Sequence, residues 1–137
     1  MSFDLDAAVG GQEELNLLLN AFYDRLFIDP LIGFLFAPHE KEKLVKSQTS
    51  WLMANLGNRN HVYEGLNLRK AHEELPITAG HFNRRHTILK EILLEFDVPI
   101  HVQEAWLKLD RGLFDMIVKL GEKKRAEGTP KKINLLD

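Results

Sequence analysis

The chain has 137 residues, of which 45% are apolar and 28% charged, and its formal net charge at pH 7 is −2. This composition is typical of one compact globular domain, and the small net charge excludes a general electrostatic attraction to nucleic acids or anionic membranes. The chain contains no cysteine, which excludes disulfides, zinc–thiolate sites and iron–sulfur clusters.

The N-terminal segment MSFDLDAAVGG carries acidic residues where a secretory signal peptide needs basic residues and then a long apolar core. The longest apolar stretch, LIGFLFA, is far shorter than the about 20 residues that cross a bilayer as a helix. We therefore expect a cytoplasmic protein that binds neither membranes nor nucleic acids.

The first long helix is predicted over residues 12–28, QEELNLLLNAFYDRLFI, where apolar side chains recur at spacings of three and four. Gly10 and Gly11 mark its start. It ends at Asp29-Pro30, because the residue before a proline avoids helical geometry. The apolar segment PLIGFLFAP that follows is predicted to be a short connection.

A second long helix is predicted over residues 39–57, HEKEKLVKSQTSWLMANLG, with Gly57 as its stop signal. The following NRNHVYEGLNL is predicted to be a loop, and RKAHEEL a short helix that Pro76 ends. One face of the second long helix carries residues spaced four apart, namely Leu44, Gln48, Leu52 and Leu56.

Two further long helices are predicted, the third over residues 78–96 and the fourth over about 100–120. Thr78 is the candidate N-cap of the third. Their inward positions are Phe82, Leu89, Leu93 and Phe96 in the third helix, and Val102, Trp106, Leu109, Leu113 and Ile117 in the fourth.

The whole chain, residues 1–137, is thus predicted to be a single all-α domain with a core at about residues 8–120. The segment GEKKRAEGTPKKINLLD, residues 121–137, mixes charges with glycine and proline. Such a composition favours a flexible tail.

Three features do not suit a plain helical bundle. The loop over residues 57–68 is long for a helix–helix connection in so small a bundle. His72 lies on a helix too short to be stable alone. Tyr23 and Gln48 place polar groups within apolar stripes, and such groups need partners when they are buried.

Each feature also has an ordinary explanation. Tyr23 can turn its hydroxyl to solvent, Gln48 can cap a backbone group, and His72 can lie at the surface. Together, however, they indicate a large apolar ligand that takes one nitrogen ligand and a few polar contacts. Haem fits this description, because its face is flat and apolar and its iron takes one neutral imidazole.

The sequence resembles the truncated haemoglobins, short globins with a two-over-two helical sandwich around a haem. The similarity covers about residues 8–120 and is greatest to the group I members. It depends on an ordered set of motifs: GG at 10–11, FYDRLFIDP at 22–30, FLF at 34–36, KSQ at 46–48, LG at 56–57, YEGLNLRKAHEEL at 63–75, HF at 81–82 and VP at 98–99.

The resemblance implies that His72 is the proximal iron ligand, since it stands nine residues before the HF motif. His81, the histidine of that motif, opens the next long helix and is expected to be a helix cap or a surface residue. Tyr23 and Gln48 match the family's distal pair, whose hydroxyl and amide donate to a bound diatomic ligand. The matching apolar haem-pocket positions are Phe36, Leu44, Leu52, Leu68 and Phe82.

Four positions depart from the family pattern, namely Asn58, Ser47, Phe114 and Arg85. Asn58 replaces the second glycine of a Gly-Gly turn. Ser47 stands where some relatives have a coordinating histidine or lysine. Phe114 occupies the place of a histidine that attaches haem covalently in some relatives, and the chain lacks a CxxCH motif, so we expect non-covalent haem b.

Arg85 is the largest departure, because relatives usually have an apolar residue there, facing the haem. An arginine at this position could bind a haem propionate, donate to the bound ligand or rotate to solvent. We favour rotation to solvent, with the neighbouring His86 turned inward, since His86 shares the stripe of Phe82 and Leu89.

The resemblance therefore implies a haem protein that binds dioxygen, nitric oxide or carbon monoxide. One possible role is enzymatic, the oxidation of nitric oxide to nitrate, which needs a separate reductase since the chain has no flavin or nicotinamide motif. The other is non-catalytic sensing, oxygen transport or delivery. Two weaker alternatives are peroxidase-like chemistry, suggested by Arg85 and His86, and a haem-free globin-like interaction module. We expect a monomer or a weak dimer.

Overall fold

The computed structural model describes residues 4–57 and 68–128, and all statements about the fold refer to these residues. Every regular element among them is a helix. The eight helices are α1 (Leu5–Ala8), α2 (Gln12–Ile28), α3 (Gly33–Phe36), α4 (Lys41–Leu56), α5 (Leu68–His72), α6 (Ala79–Glu95), α7 (Ile100–Arg111) and α8 (Phe114–Gly128). The predicted all-α fold is confirmed, whereas the loop at 58–67, with its Asn58 departure, lies outside the described residues.

The packing of the helices centres on α2 and α6. Helix α2 lies against both α4 and α6, and α6 in turn contacts α7 and α8. The core forms where their apolar faces meet, since burying such faces drives folding. Its fully buried side chains include Leu19, Phe22 and Leu26 from α2, Leu52 from α4, Leu89, Ile92 and Leu93 from α6, and Trp106 from α7.

Two sets of hydrogen bonds, one at Thr78 and one at Asp29, hold the N-terminal part of α6 in place. The Thr78 hydroxyl accepts a hydrogen bond from the backbone N–H of His81 at 3.0 Å, so Thr78 is the N-cap as predicted. The Asp29 carboxylate accepts from the backbone N–H groups of Leu31 and Ile32 and also from the Arg84 side chain. Asp29 thereby joins the turn between α2 and α3 to α6.

The C-terminal part of the chain differs from the prediction in two ways. The single helix expected at about 100–120 is two helices, because α7 ends at Arg111 and α8 begins at Phe114. Helix α8 then continues to Gly128, so residues 121–128, expected in a flexible tail, are helical. Residues 129–137 are not among those described.

Contacts with the α5–α6 connection explain why α8 extends so far. Lys124 pairs with Glu74 at 2.6 Å, and Arg125 donates to the carbonyl oxygen of Ile77 at 3.1 Å. Gly121 lies so close to the same connection that a Cβ atom there would be 1.9 Å from the Ile77 oxygen. The charged residues that suggest a loose tail therefore hold α8 against the short segment that follows His72.

No helix among the described residues combines the length and the apolar character that crossing a membrane requires.

Candidate functional site

A cavity of about 630 Å³ lies between α4 on one side and α5, α6 and the start of α8 on the other. Its volume falls within the about 300–1,000 Å³ that is usual for small-molecule and cofactor sites. Eight of the nine residues singled out from the sequence line it: Tyr23, Phe36, Leu44, Gln48, Leu68, His72, Phe82 and Arg85.

The exception is Leu52, which is fully buried in the core and does not line the cavity. The resemblance implies that Leu52 is a haem-pocket position, and this assignment stays a prediction. A helix turns by about 100° per residue, so steps of four drift around the helix. Trp51, seven residues after Leu44, faces the cavity instead.

His72 ends the short helix α5, and its ring has a defined tautomer. Its Nδ1 atom lies 2.7 Å from the carbonyl oxygen of Leu68. A carbonyl oxygen only accepts, so Nδ1 donates and carries the hydrogen. In the neutral ring, the lone pair is then on Nε2, which is the arrangement of a metal-binding imidazole.

The electrostatic surroundings keep His72 neutral. Burial lowers its pKa below the usual 6.5, and the positive charge of Arg85 lowers it further, against the opposing effect of the Leu68 carbonyl. A neutral imidazole is the form that ligates a metal ion, so no proton has to be displaced from Nε2 at pH 7.

His81 also reaches the cavity, but its ring is used differently. Its Nδ1 accepts a hydrogen bond from the backbone N–H of Thr78 at 3.1 Å, completing a capping box at the start of α6. The neutral ring therefore carries its hydrogen on Nε2. His81 could offer a metal a lone pair only by giving up this cap, whereas His72 offers one as it stands.

Aromatic packing fixes Tyr23 on the α2 side of the cavity. Its ring meets those of Phe22 and Phe36 edge to face, with centroid distances of 5.4 and 6.2 Å. Only 5% of Tyr23 is exposed, and the residue lines the cavity. Its hydroxyl thus belongs to the cavity and not to bulk solvent. The Gln48 side chain reaches the same cavity from α4.

Arg85 does not rotate to solvent, and the favoured expectation for it is wrong. It lines the cavity, and its Nη1 atom donates to Asp110 Oδ1 at 2.6 Å. His86 is buried, but its Nδ1 atom lies 2.8 Å from the other oxygen of Asp110, and it does not line the cavity. One carboxylate therefore holds both side chains and decides which of them faces the cavity.

Asp110 is a functional residue that the sequence reasoning missed. Its side chain is only 3% exposed, and it touches the cavity wall from α7. The sequence does contain a signal, because Asp110 is an acidic residue one turn after Trp106 within an apolar stripe. A carboxylate buried at such a position needs a cationic or hydrogen-bonding partner. Trp51 and the exposed His39 and Lys43 at the cavity edge were also missed.

Residues 4–116 match the model of a protein family described as bacterial-like globin. A group 1 truncated hemoglobin of Tetrahymena pyriformis is 28% identical over 112 residues, which cover 81% of this chain and 92% of that protein. Another, from Mycolicibacterium paratuberculosis, is 29% identical over 91 residues, 66% of each chain.

Solved structures match as well. The crystal structure of the Tetrahymena pyriformis truncated hemoglobin in its Fe(III) form superimposes with a TM-score of 0.71 at 26% identity, covering 82% of this chain and 95% of that one. A truncated hemoglobin of Chlamydomonas reinhardtii, THB11, has a TM-score of 0.70 at 20% identity, with 84% and 94% covered. The second likeness concerns the fold alone.

The buried Asp110 carboxylate predicts a pH-dependent stability. Charge and hydrogen bonding from Arg85 and His86 lower its pKa from 3.8 to about 2, against the opposing effect of burial. A carboxylate whose pKa is lowered by folding stabilises the fold above its unfolded pKa. This contribution, about 2 kcal/mol, is lost as the pH falls from about 4 towards 2.

Asp110→Asn should remove that pH dependence and destabilise the protein at pH 7 by about 3–5 kcal/mol, because it leaves the Arg85 charge buried without its partner. Urea unfolding at pH 7 and at lower pH measures both effects. Asp24→Asn is the control, since Asp24 pairs with Lys41 at the surface and should cost under about 1 kcal/mol. Equal losses in the two variants would contradict this role of Asp110.

Proposed function

The chain belongs to the bacterial-like globin family as a group I truncated globin, and from this premise we propose that His72 holds a non-covalent haem b in the cavity. We propose further that dioxygen and related diatomic molecules bind on the side of Tyr23 and Gln48. The observation that carries the proposal is the placement of one neutral imidazole and two hydrogen-bond donors in a single apolar cavity.

The residues present suit haem in three respects. His72 offers the Nε2 lone pair for the iron, as its bond to Leu68 requires. The walls are mainly apolar, as a flat macrocycle needs, and include Phe36, Leu44, Leu68, Leu75, Ile77 and Phe82. At the exposed edge, Lys43 and His39 can face carboxylate groups that point towards solvent.

Non-covalent attachment agrees with the surroundings of Phe114. Its ring packs edge to face on Phe82, with centroids 5.2 Å apart, and joins the small apolar cluster of α6 and α8. This position therefore supplies packing and has no nucleophile that could bond to the macrocycle.

When bound, haem supplies an iron atom with a coordination position for a small diatomic ligand. The task of the chain is to orient that ligand and to exclude water from it. The Tyr23 hydroxyl and the Gln48 amide are donors, and both could donate a hydrogen bond to a ligand atom that carries partial negative charge. Their hydrogen bonds are strengthened because the surrounding walls are apolar.

Two roles are consistent with this site. As an enzyme, the protein would combine nitric oxide with dioxygen to give nitrate, the haem iron would supply the one electron that this needs, and a separate reductase would restore the ferrous iron. As a carrier or sensor, it would release its ligand unchanged. Measuring whether the reduced protein in air consumes nitric oxide and forms nitrate distinguishes the two. Donors that hold dioxygen, as proposed for Tyr23 and Gln48, would serve either role.

His72→Ala should abolish stable haem retention or leave a weakly bound haem with an altered absorption spectrum, because the variant lacks the Nε2 lone pair that the bond to Leu68 leaves for the iron. Added imidazole should restore a histidine-like spectrum by occupying the vacated space. Spectra of the ferric and ferrous forms measure this.

His81→Ala is the matched control, since His81 lies on the same cavity but uses its ring as a cap. It should lose some stability, about 1 kcal/mol for a helix cap, and keep the normal haem spectrum. The assignment is wrong if His81→Ala loses the spectrum while His72→Ala retains it.

Tyr23→Phe should speed the release of dioxygen by roughly ten- to a hundredfold, because a buried hydrogen bond to a partly charged acceptor is worth about 1.5–3 kcal/mol. The ring stays, so packing on Phe22 and Phe36 is preserved and the change lies mostly in the off-rate. Stopped-flow measurement of dioxygen release tests this.

Carbon monoxide is the control ligand, since its outer atom carries far less charge and its release should change little. Gln48→Leu should have a smaller effect on dioxygen release than Tyr23→Phe. The double variant should be less than additive, since both donors address one ligand. If Tyr23→Phe leaves the dioxygen off-rate unchanged, the hydrogen bond to dioxygen comes from a donor other than Tyr23.

A further inference from the structure

We propose that Arg85 forms an anion-binding subsite in the cavity, on the side of Tyr23, which selects small inorganic anions such as azide and nitrite over neutral ligands. The subsite depends on the proposed function, since the anion would occupy the ligand position beside Tyr23 and Gln48. Relative to a cavity with only neutral donors, it adds a fixed positive charge.

The position of the guanidinium is set by contacts on two sides. Its Nη1 atom donates to Asp110 Oδ1 at 2.6 Å, and its carbon lies 5.2 Å from the centre of the Phe22 ring. Burial lowers the pKa of Arg85, whereas the Asp110 charge and a side-chain hydrogen bond with Tyr23 raise it, which places the guanidinium within hydrogen-bond reach of Tyr23. The charge therefore lies beside the proposed ligand position.

Asp110 also lies on the cavity wall, and an acid there would ordinarily repel an anion. Both of its oxygens are engaged, however, Oδ1 by Arg85 and Oδ2 by His86 Nδ1 at 2.8 Å, and its side chain is 3% exposed. The Arg85 side chain is 21% exposed. The accessible end of the pair is thus the positive one.

Arginine has donors to spare for a ligand. A guanidinium carries five N–H groups and keeps its charge at any ordinary pH. The contacts with Asp110 and Tyr23 use only part of this set. If the Tyr23 hydroxyl accepts from Arg85, its own hydrogen is directed elsewhere and can be donated to the same ligand. Two side chains would then converge on one negative atom.

The alternative partner for Arg85 is a carboxylate of the haem itself. The structure favours the ligand side, because Arg85 sits between Asp110 and Tyr23 and is packed on Phe22. Lys43, by contrast, is a cation at the exposed edge of the cavity, where carboxylates of a bound haem would reach solvent.

The test compares anionic and neutral ligands on the ferric haem protein. Azide, nitrite and imidazole are titrated at one fixed pH and salt concentration, and affinities are read from the absorption spectrum. Arg85→Gln should weaken azide and nitrite by roughly ten- to a hundredfold and imidazole by much less. Arg85→Lys should give a smaller loss, since lysine keeps the charge without the planar fork.

Arg84→Gln is the matched control. Arg84 precedes Arg85 on α6 and also pairs with an aspartate, Asp29 at 2.7 Å, but it does not line the cavity. This variant should leave the ratio of azide to imidazole affinity unchanged. A change equal to that in Arg85→Gln would show a general effect of charge on α6 and would overturn the proposal.

A second variant keeps the proposal testable if Arg85→Gln does not fold. Tyr23→Phe combined with Gln48→Leu removes the two neutral donors and leaves Arg85 with Asp110. The preference for azide over imidazole should persist in this double variant, and its disappearance would assign the selectivity to the neutral donors.

The outcomes separate this inference from the proposed function. If the unmodified chain takes up no haem, the proposed function fails and the inference fails with it. If haem is bound and Arg85→Gln weakens haem retention but not azide or nitrite, Arg85 serves a haem carboxylate and the inference alone is overturned. An equal loss of azide and imidazole affinity overturns it in the same way.

Discussion

The buried carboxylate of Asp110 is the group on which the shape and charge of the cavity depend. It accepts a hydrogen bond from Arg85 with one oxygen and bonds the His86 ring with the other, so it joins α7 to two successive residues of α6. Burying a charge is costly unless it is paired, and here the two contacts offset that cost. The same contacts direct the Arg85 guanidinium into the cavity and keep the His86 ring out of it.

The Arg85 charge then acts on both candidate ligand-binding side chains. Burial is the main cause of the lowered pKa of His72 and the Arg85 charge adds to it, which favours the neutral imidazole that a metal needs, and Arg85 also reaches Tyr23 on the α2 side. A change at Asp110 would therefore alter the fold, the proposed iron ligand and the proposed distal donor together. Such coupling is expected in an apolar cavity, where charges are screened less than in water.

Local geometry decides how each histidine can be used. His72 and His81 both reach the cavity, yet His72 donates from Nδ1 to a carbonyl oxygen, whereas His81 accepts at Nδ1 from a backbone N–H. The first arrangement leaves a lone pair on Nε2 and the second leaves a hydrogen there. Whether a histidine can bind a metal through Nε2 therefore depends on whether its Nδ1 atom faces a backbone carbonyl oxygen or a backbone N–H group one turn earlier.

The sequence by itself determined the long helices α2, α4 and α6, because amphipathic spacing, proline positions and the Thr78 cap are local signals, whereas the short helices α1 and α3 were not predicted. Its motifs also pointed to His72, Tyr23 and Gln48, which the fold brings to one cavity. The sequence could not decide the end of α7 near Gly112 or the extension of α8, since these depend on contacts between α8 and the segment around Ile77.

The tertiary structure alone decided the orientation of the side chains that neighbour one another on a helix. Arg85 and His86 are neighbours in sequence and lie about 100° apart around the axis of α6, and the helical period alone allows either of them to face the cavity. Which of them faces the cavity depends on partners distant in sequence. For Arg85 that partner is Asp110, 25 residues later, and no local pattern relates the two.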